Sequence, residues 1–390
     1  MNVSARPAPA SLEMIRALVA FPTVSRDSNL ELIEFVRARL AALGAEIRIT
    51  HDDEGRKANL FATLGPRAEG GIVLSGHTDV VPVEGQPWQS DPFQAVEKDG
   101  RIYGRGAADM KSFLGCVLAA APRFVERGLK RPLHLAFSYD EEVGCLGVER
   151  MIADFARAGV RPRACIVGEP TGMRPVIAHK GKRSYRCVVR GLAGHSAYAP
   201  SGVNAAEYAA VAVAFLRGLG RRRRDHGPRD TDFDVPYTTV HTGLIHGGTA
   251  LNVIPHDCAF EFEFRHLPGE DPQALEREFT DFVRGRLEPE MRALDPAAGF
   301  TITSLSENPA LDTDPGSEAA ALVQALAGGA GFGKVSFASE ASLFQRAGIP
   351  AVLCGPGSIE QAHKPDEFVT LDQIARCEAF LERLVEHLCE

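Results

Sequence analysis

Apolar residues recur along this chain in two rhythms, and their alternation predicts an α/β fold. Residues 11–20 and 29–42 place Leu, Ile, Val and Phe at helical spacing, with Ser28-Asn29 available to cap the second helix. Residues 45–49, 60–64 and 72–75 then read as three strands, the last an apolar run that stops at Gly76-His77-Thr78-Asp79. A Pro- and Gly-rich loop, 82–106, holds the single tryptophan, Trp88, and leads into a helix over 112–127. Strands at 133–138 and 165–167 follow, with connections long enough for right-handed crossovers.

From Lys182 the pattern changes. Residues 184–190 alternate, 203–217 are helical, and 238–244 and 257–266 read as strands. The second of these sets Phe260, Phe262 and Phe264 against Glu261, Glu263 and Arg265. A helix over 271–287 and a strand over 300–305 complete a strand-helix-strand-strand-helix-strand order, which is ferredoxin-like and able to fold as an insertion. Helices at 315–328 and 340–347, strands at 333–337 and 351–354, and a helix from about Leu371 close the chain. The expected organisation is a discontinuous domain, 1–181 with 309–390, interrupted by an α+β domain, 182–308. A length of 390 residues suits two or three domains at roughly 150 residues each.

A formal net charge of -8 argues against nucleic acid as a partner. The run Arg221 to Arg224 reads as cations at a helix C-terminus. The apolar run 17–21 is too short for a signal-peptide core, and no stretch of about 18 apolar residues predicts a membrane span. Eight cysteines without a C-x-x-C pair suit a reducing cytoplasm, and Cys145 reads as a small buried hydrophobe.

Candidate chemistry collects where strands end. In open α/β sheets ligands bind beyond the carboxyl ends of strands, so such tips should meet in space. His77, Glu142, Glu169 and His363 follow strands, and Asp109 precedes a helix. Alone, Asp109 reads as a helix cap. Together the five supply two imidazoles and three carboxylates, a set suited to two divalent ions such as zinc, cobalt or manganese. Asp109 is then the candidate to bridge them. Asp79, two residues from His77, should aim that imidazole through its other ring nitrogen. Glu141 projects away from Glu142 in extended backbone and is the candidate general base. His134, His179, His241 and His246 have no carboxylate at a recognisable spacing and read as structural.

The segments Ser75-Gly-His-Thr-Asp79, Gly104-Arg-Gly-Ala-Ala-Asp109, Asp140-Glu-Glu142, Gly168-Glu-Pro-Thr171 and Ala362-His363-Lys-Pro-Asp366 resemble the metal-binding motifs of the M20 metallopeptidase family, in order and spacing over nearly the whole chain. The resemblance implies His77, Asp109 and Glu169 on one metal, Asp109, Glu142 and His363 on the other, and Glu141 as general acid/base. It implies that the inserted domain is the family's dimerisation lid, with His195 reaching the substrate carbonyl in the partner subunit's site. Asn252 and Arg265 match positions that meet a substrate α-carboxylate, and Glu340 could meet a side-chain amine. Around 173–181 and 354–366 the chain is most similar to members that remove acetyl from the α-nitrogen of N2-acetyl-L-ornithine in arginine biosynthesis. Two alternatives stay open: a related amidohydrolase acting on N-succinyl-diaminopimelate or on N-acyl amino acids broadly, and a non-catalytic, metal-bound dimeric binding protein. The presence of Glu141 favours catalysis.

Overall fold

Four apolar runs, Leu133–Ser138, Ile72–His77, Ala164–Pro170 and Ala351–Gly355, lie side by side in that order as parallel strands, each buried from end to end. Continuous burial follows from cover on both faces. In the computed structural model, which describes residues 6–390, these strands form the centre of a nine-stranded mixed sheet. Antiparallel strands Ala58–Leu64 and Glu46–His51 extend one side. Side chains alternate across the sheet: Leu60 and Ala62 join a core with Phe113 and Phe124 of the helix Lys111–Glu126, whereas Phe61 turns the other way to stack on Phe155 of the helix Val148–Arg157 at 4.5 Å. Each buried phenylalanine contributes about 1.5–3 kcal/mol.

The described residues divide into two compact units. One comprises the chain up to Ala178, Leu311–Lys334 and Ser339–Glu390; the other comprises His179–Ala310 and Val335–Ala338. The second unit therefore also takes a short segment that pattern alone reads as part of a strand at 333–337; the strand observed there is Gly333–Val335.

The second unit has a four-stranded antiparallel sheet in the order Thr239–Gly247, Asp257–His266, Gly181–Arg190, Gly299–Asn308. Phe260, Phe262 and Phe264 are buried with Tyr185, Cys187 and Val189 under the helices Ala205–His226 and Pro272–Phe282. The Phe262 ring lies 4.9 Å from Phe279 and 5.2 Å from Tyr185. Asn204 caps the first helix by accepting from the Ala206 and Glu207 amides, and Asp271 caps the second.

Three local expectations change. The helix expected to end near 217 runs on to His226, so Arg221 to Arg224 lie inside its last turns, where Arg222 and Arg223 pair with Glu278. The helix expected over 271–287 is Pro272–Phe282 followed by a π turn, Val283–Leu287. Asn29 does not cap Leu30–Ala42; its side chain bonds both backbone groups of Ala58 and the Thr78 hydroxyl. No helix among the described residues is long and apolar enough to cross a membrane.

Candidate metal centre

Two glycines explain how the site is assembled. Gly76 precedes His77 and Gly168 precedes Glu169, on neighbouring strands paired Ser75 to Val167. The start of the helix Lys111–Glu126 packs onto both glycines: a Cβ on Gly168 would lie 2.0 Å from the Phe113 ring, and one on Gly76 2.4 Å from Met110 Cε. That close approach carries Asp109 to the strand ends. Since strand side chains alternate, His77 and Glu169 then project to the opposite face from the glycines.

His77 Nε2 lies 3.0 Å from Asp109 Oδ1. The other Asp109 oxygen lies 3.4 Å from Nε2 of His363, which is itself 3.0 Å from Glu142 Oε2. Asp109 thus faces an imidazole with each oxygen. Donor atoms of His77, Asp109 and Glu169 fall within 4.8 Å of one another, as do those of Asp109, Glu142 and His363. The N-cap reading of Asp109 fails, because the helix is preceded by Met110 and has no side-chain cap.

The charges crowd. Burial, reinforced by Asp109 and Glu141, pushes the Glu169 carboxyl well above its usual range. Burial also takes Glu141 up to about 8, against the pull of His77. Bonds to Asp109 and Glu142 raise His363 to about 10. Burial opposes ionisation of Asp109, yet the bonds and charges of His363 and His77 outweigh it and hold this carboxyl well below the usual range. Glu169 Oε1 is buried and has no hydrogen-bond partner among the described residues. A buried carboxylate oxygen with no partner, beside hard oxygen and imidazole donors, fits divalent cations.

Asp79 acts differently from expectation. The His77 Nδ1 contact at 2.8 Å is with the Asp79 main-chain carbonyl, while the carboxylate stands 3.7 Å away. That carboxylate instead accepts from the Ser25 hydroxyl at 2.7 Å and from the Glu141 and Glu142 amides at 3.1 and 3.3 Å. The strand ends at His77, and beyond it the Asp79 carboxylate is taken up by Ser25 and the Glu141 and Glu142 amides, so strand alternation does not decide where it points. Glu340 is a second correction: it is 0% exposed, and its two oxygens accept from Ser75 and Ser138 at 2.6 Å each. Packed against these two paired strands, it has both oxygens engaged and no exposed atom to offer a substrate amine.

In the second unit His195 and Asn252 are both exposed and adjacent: Gly194–His195 pairs with Val253–Ile254, and the Ser196 amide donates to the Asn252 carbonyl. His195 Nδ1 accepts from the Ala197 amide. Arg265 lies on Asp257–His266, one of the two inner strands, and its Nε donates to Glu263 at 2.8 Å.

Cys145 is buried, as its sequence reading has it, and its thiol lies 3.3 Å from Glu141 Oε1; sequence reasoning passed over Lys57, which pairs at 2.6 Å with Asp140 beside the two glutamates. It also passed over Arg105, Gln86 and Glu367. Glu367 immediately follows the motif Ala362-His363-Lys-Pro-Asp366, and that adjacency is the signal that could have found it.

A model of peptidase family M20/M25/M40 matches residues 73–387. Acetylornithine deacetylase of Myxococcus xanthus is 38% identical over 98% of both chains, and that of Photorhabdus laumondii 34% over the same shares. Among solved structures, the M20 metallo-carboxypeptidase Sso-CP2 from Sulfolobus solfataricus superposes with a TM-score of 0.78 at 18% identity, covering 98% of this chain and 99% of that one. The Bacillus subtilis YXEP protein, a dinuclear metal-binding peptidase, gives 0.66 at 17% identity, covering 97% of each. These structural likenesses speak to the fold.

Proposed function

The chain belongs to peptidase family M20/M25/M40, and from that premise we propose that it removes the acetyl group from N2-acetyl-L-ornithine, releasing L-ornithine and acetate as a cytoplasmic step of arginine biosynthesis. It is a hydrolase of an amide C–N bond. The substrate rests on what the relatives sharing 98% of its length are named for. The chemistry rests on one observation: the two oxygens of Asp109 face His77 and His363, so one carboxylate serves two triads.

His77, Asp109 and Glu169 would hold one ion, and Asp109, Glu142 and His363 the other. Zinc suits this donor set, with cobalt or manganese able to replace it. When bound, such ions polarise the acetyl carbonyl and make water acidic enough to lose a proton near neutral pH. Glu141 takes that proton, the water oxygen bonds to the acetyl carbon that leaves as acetate, and Glu141 returns the proton to the α-nitrogen as the C–N bond breaks. Asp79 holds the Glu141 and Glu142 amides, fixing the base and a ligand together.

In the second unit, Arg265 suits a substrate α-carboxylate through its planar guanidinium, with Asn252 as a further donor. His195 is the candidate to donate to the developing oxyanion of a partner's site. A homodimer through this unit is supported by the sheet-edge strand Thr239–Gly247, where Leu244 and Ile245 are 49% and 54% exposed. Mixing His195→Ala and Glu141→Ala chains should restore activity; no recovery despite confirmed subunit exchange would remove His195 from that role.

The direct test is a panel of N2-acetylornithine, N-succinyl-diaminopimelate and N-acetylmethionine with zinc-loaded protein. The highest kcat/KM is expected on N2-acetylornithine. A higher value on either of the others would replace the substrate assignment.

A further inference from the structure

His363 sits in a loop with positive φ, 62°, where no strand holds it, yet its imidazole must meet Asp109 and Glu142. Glu367, four residues on, is 1% exposed. One of its oxygens accepts from the Ala108 and Asp109 amides at 2.8 and 3.1 Å. The other accepts from Nη1 of Arg105 at 2.7 Å, and Arg105 is also 1% exposed. Arg105 Nη2 donates to Gln86 Oε1, and Gln86 Nε2 donates to the His363 carbonyl at 3.0 Å. Two more bonds tie the same segments: the Gly104 amide to the Glu367 carbonyl at 2.9 Å, and Arg105 Nη1 to the Lys364 carbonyl at 3.3 Å. The path from the Asp109 amide through Glu367, Arg105 and Gln86 returns to the backbone of His363.

We propose that Glu367 is a positioning residue that locks the loops supplying Asp109 and His363 to each other, and thereby sets how tightly the Asp109, Glu142 and His363 triad binds its ion. The proposal rests on the two-ion reading above. Stability alone is a poor reason for a buried ion pair, since apolar residues of the same size often serve as well. Here the Glu367 carboxylate accepts from the main chain of one ligand, Asp109, and Arg105 passes the tie through Gln86 to the main chain of the other, His363. A carboxylate can accept from both sides at once, whereas a carboxamide in its place must turn an NH2 either toward the Ala108 and Asp109 amides or toward Arg105.

Glu367→Gln in the full-length, metal-stripped protein tests this by zinc titration, thermal unfolding and kinetics on N2-acetylornithine. The first ion should bind as in wild type, and the second about 10–100-fold more weakly, as for other groups that hold a metal ligand in place. At limiting zinc kcat should fall in parallel with an unchanged KM, and excess zinc should restore it, which a purely structural role would not do. If Glu367→Gln does not fold, Arg105→Met with Glu367→Leu removes both charges and should weaken the same ion, and Gln86→Ala should do so to a smaller degree. A folded Glu367→Gln or double variant that binds both ions with wild-type affinity would overturn this proposal alone. A wild-type protein that binds no zinc would overturn the metal reading and this proposal with it.

Discussion

The two triads share Asp109 but are built differently. His77 and Glu169 stand on neighbouring buried strands, 1% and 3% exposed, each behind a glycine pressed by the helix that follows Asp109. Glu142 and His363 come from loops, and the His363 side chain is 50% exposed. A strand end arrives oriented by its ladder, so little ordering remains for an ion to impose; a loop must be tied from outside. Burial also strengthens charge interactions at the first triad. The strand-built half should therefore be the tighter and more packing-sensitive, and the loop-built half the weaker and more dependent on remote hydrogen bonds.

The largest effect expected is on chemistry common to both halves. Glu141→Gln should lower kcat by about 10²–10⁴-fold while both ions stay bound; turnover near the wild-type rate would remove Glu141 as the base. Asp79→Asn should sharpen the contrast, because the Asp79 carboxylate holds the Glu141 and Glu142 amides while only its main chain touches His77. A fall in kcat of about 10–100-fold is expected, with the ion at His77 and Glu169 unaffected; loss of that ion instead would restore the carboxylate as the group that aims His77. Gly168→Ala probes packing alone. Crowding Phe113 should destabilise the fold by about 1–3 kcal/mol and weaken the strand-built site, and thermal unfolding together with zinc titration measures both. An unchanged melting temperature would show that the helix does not need the glycine.

The same contrast explains what could be read in advance. Strand-end ligands are legible because an uninterrupted apolar run ending in His or Glu carries its own spatial meaning in an α/β sheet. The phenylalanine alternation of the second unit is equally direct. What escaped was set by segments remote in the chain. Glu340 reads as the start of a short helix, open to a substrate amine, until Ser75 and Ser138 on two paired strands remote in the chain bond both its oxygens. Alternation places Asp79 on the face of His77, but the strand stops at His77 and the carboxylate goes to Ser25 and two amides remote in the chain. Gly218 and Gly220 suggest a helix end near 217, yet Gly220 continues the helix against Val240, 3.3 Å from where its Cβ would be. Arg105 and Gln86 belong to a Pro- and Gly-rich loop whose partners are some 260 to 280 residues away in sequence.

The most direct measurement is zinc titration of metal-stripped wild type beside His77→Ala and His363→Ala. Wild type should bind two ions per chain. His363→Ala should keep the tighter one at nearly wild-type affinity, and His77→Ala should lose it. One ion or none in wild type, or the same site lost in both variants, would contradict a two-ion centre that shares Asp109 between a strand-built and a loop-built half.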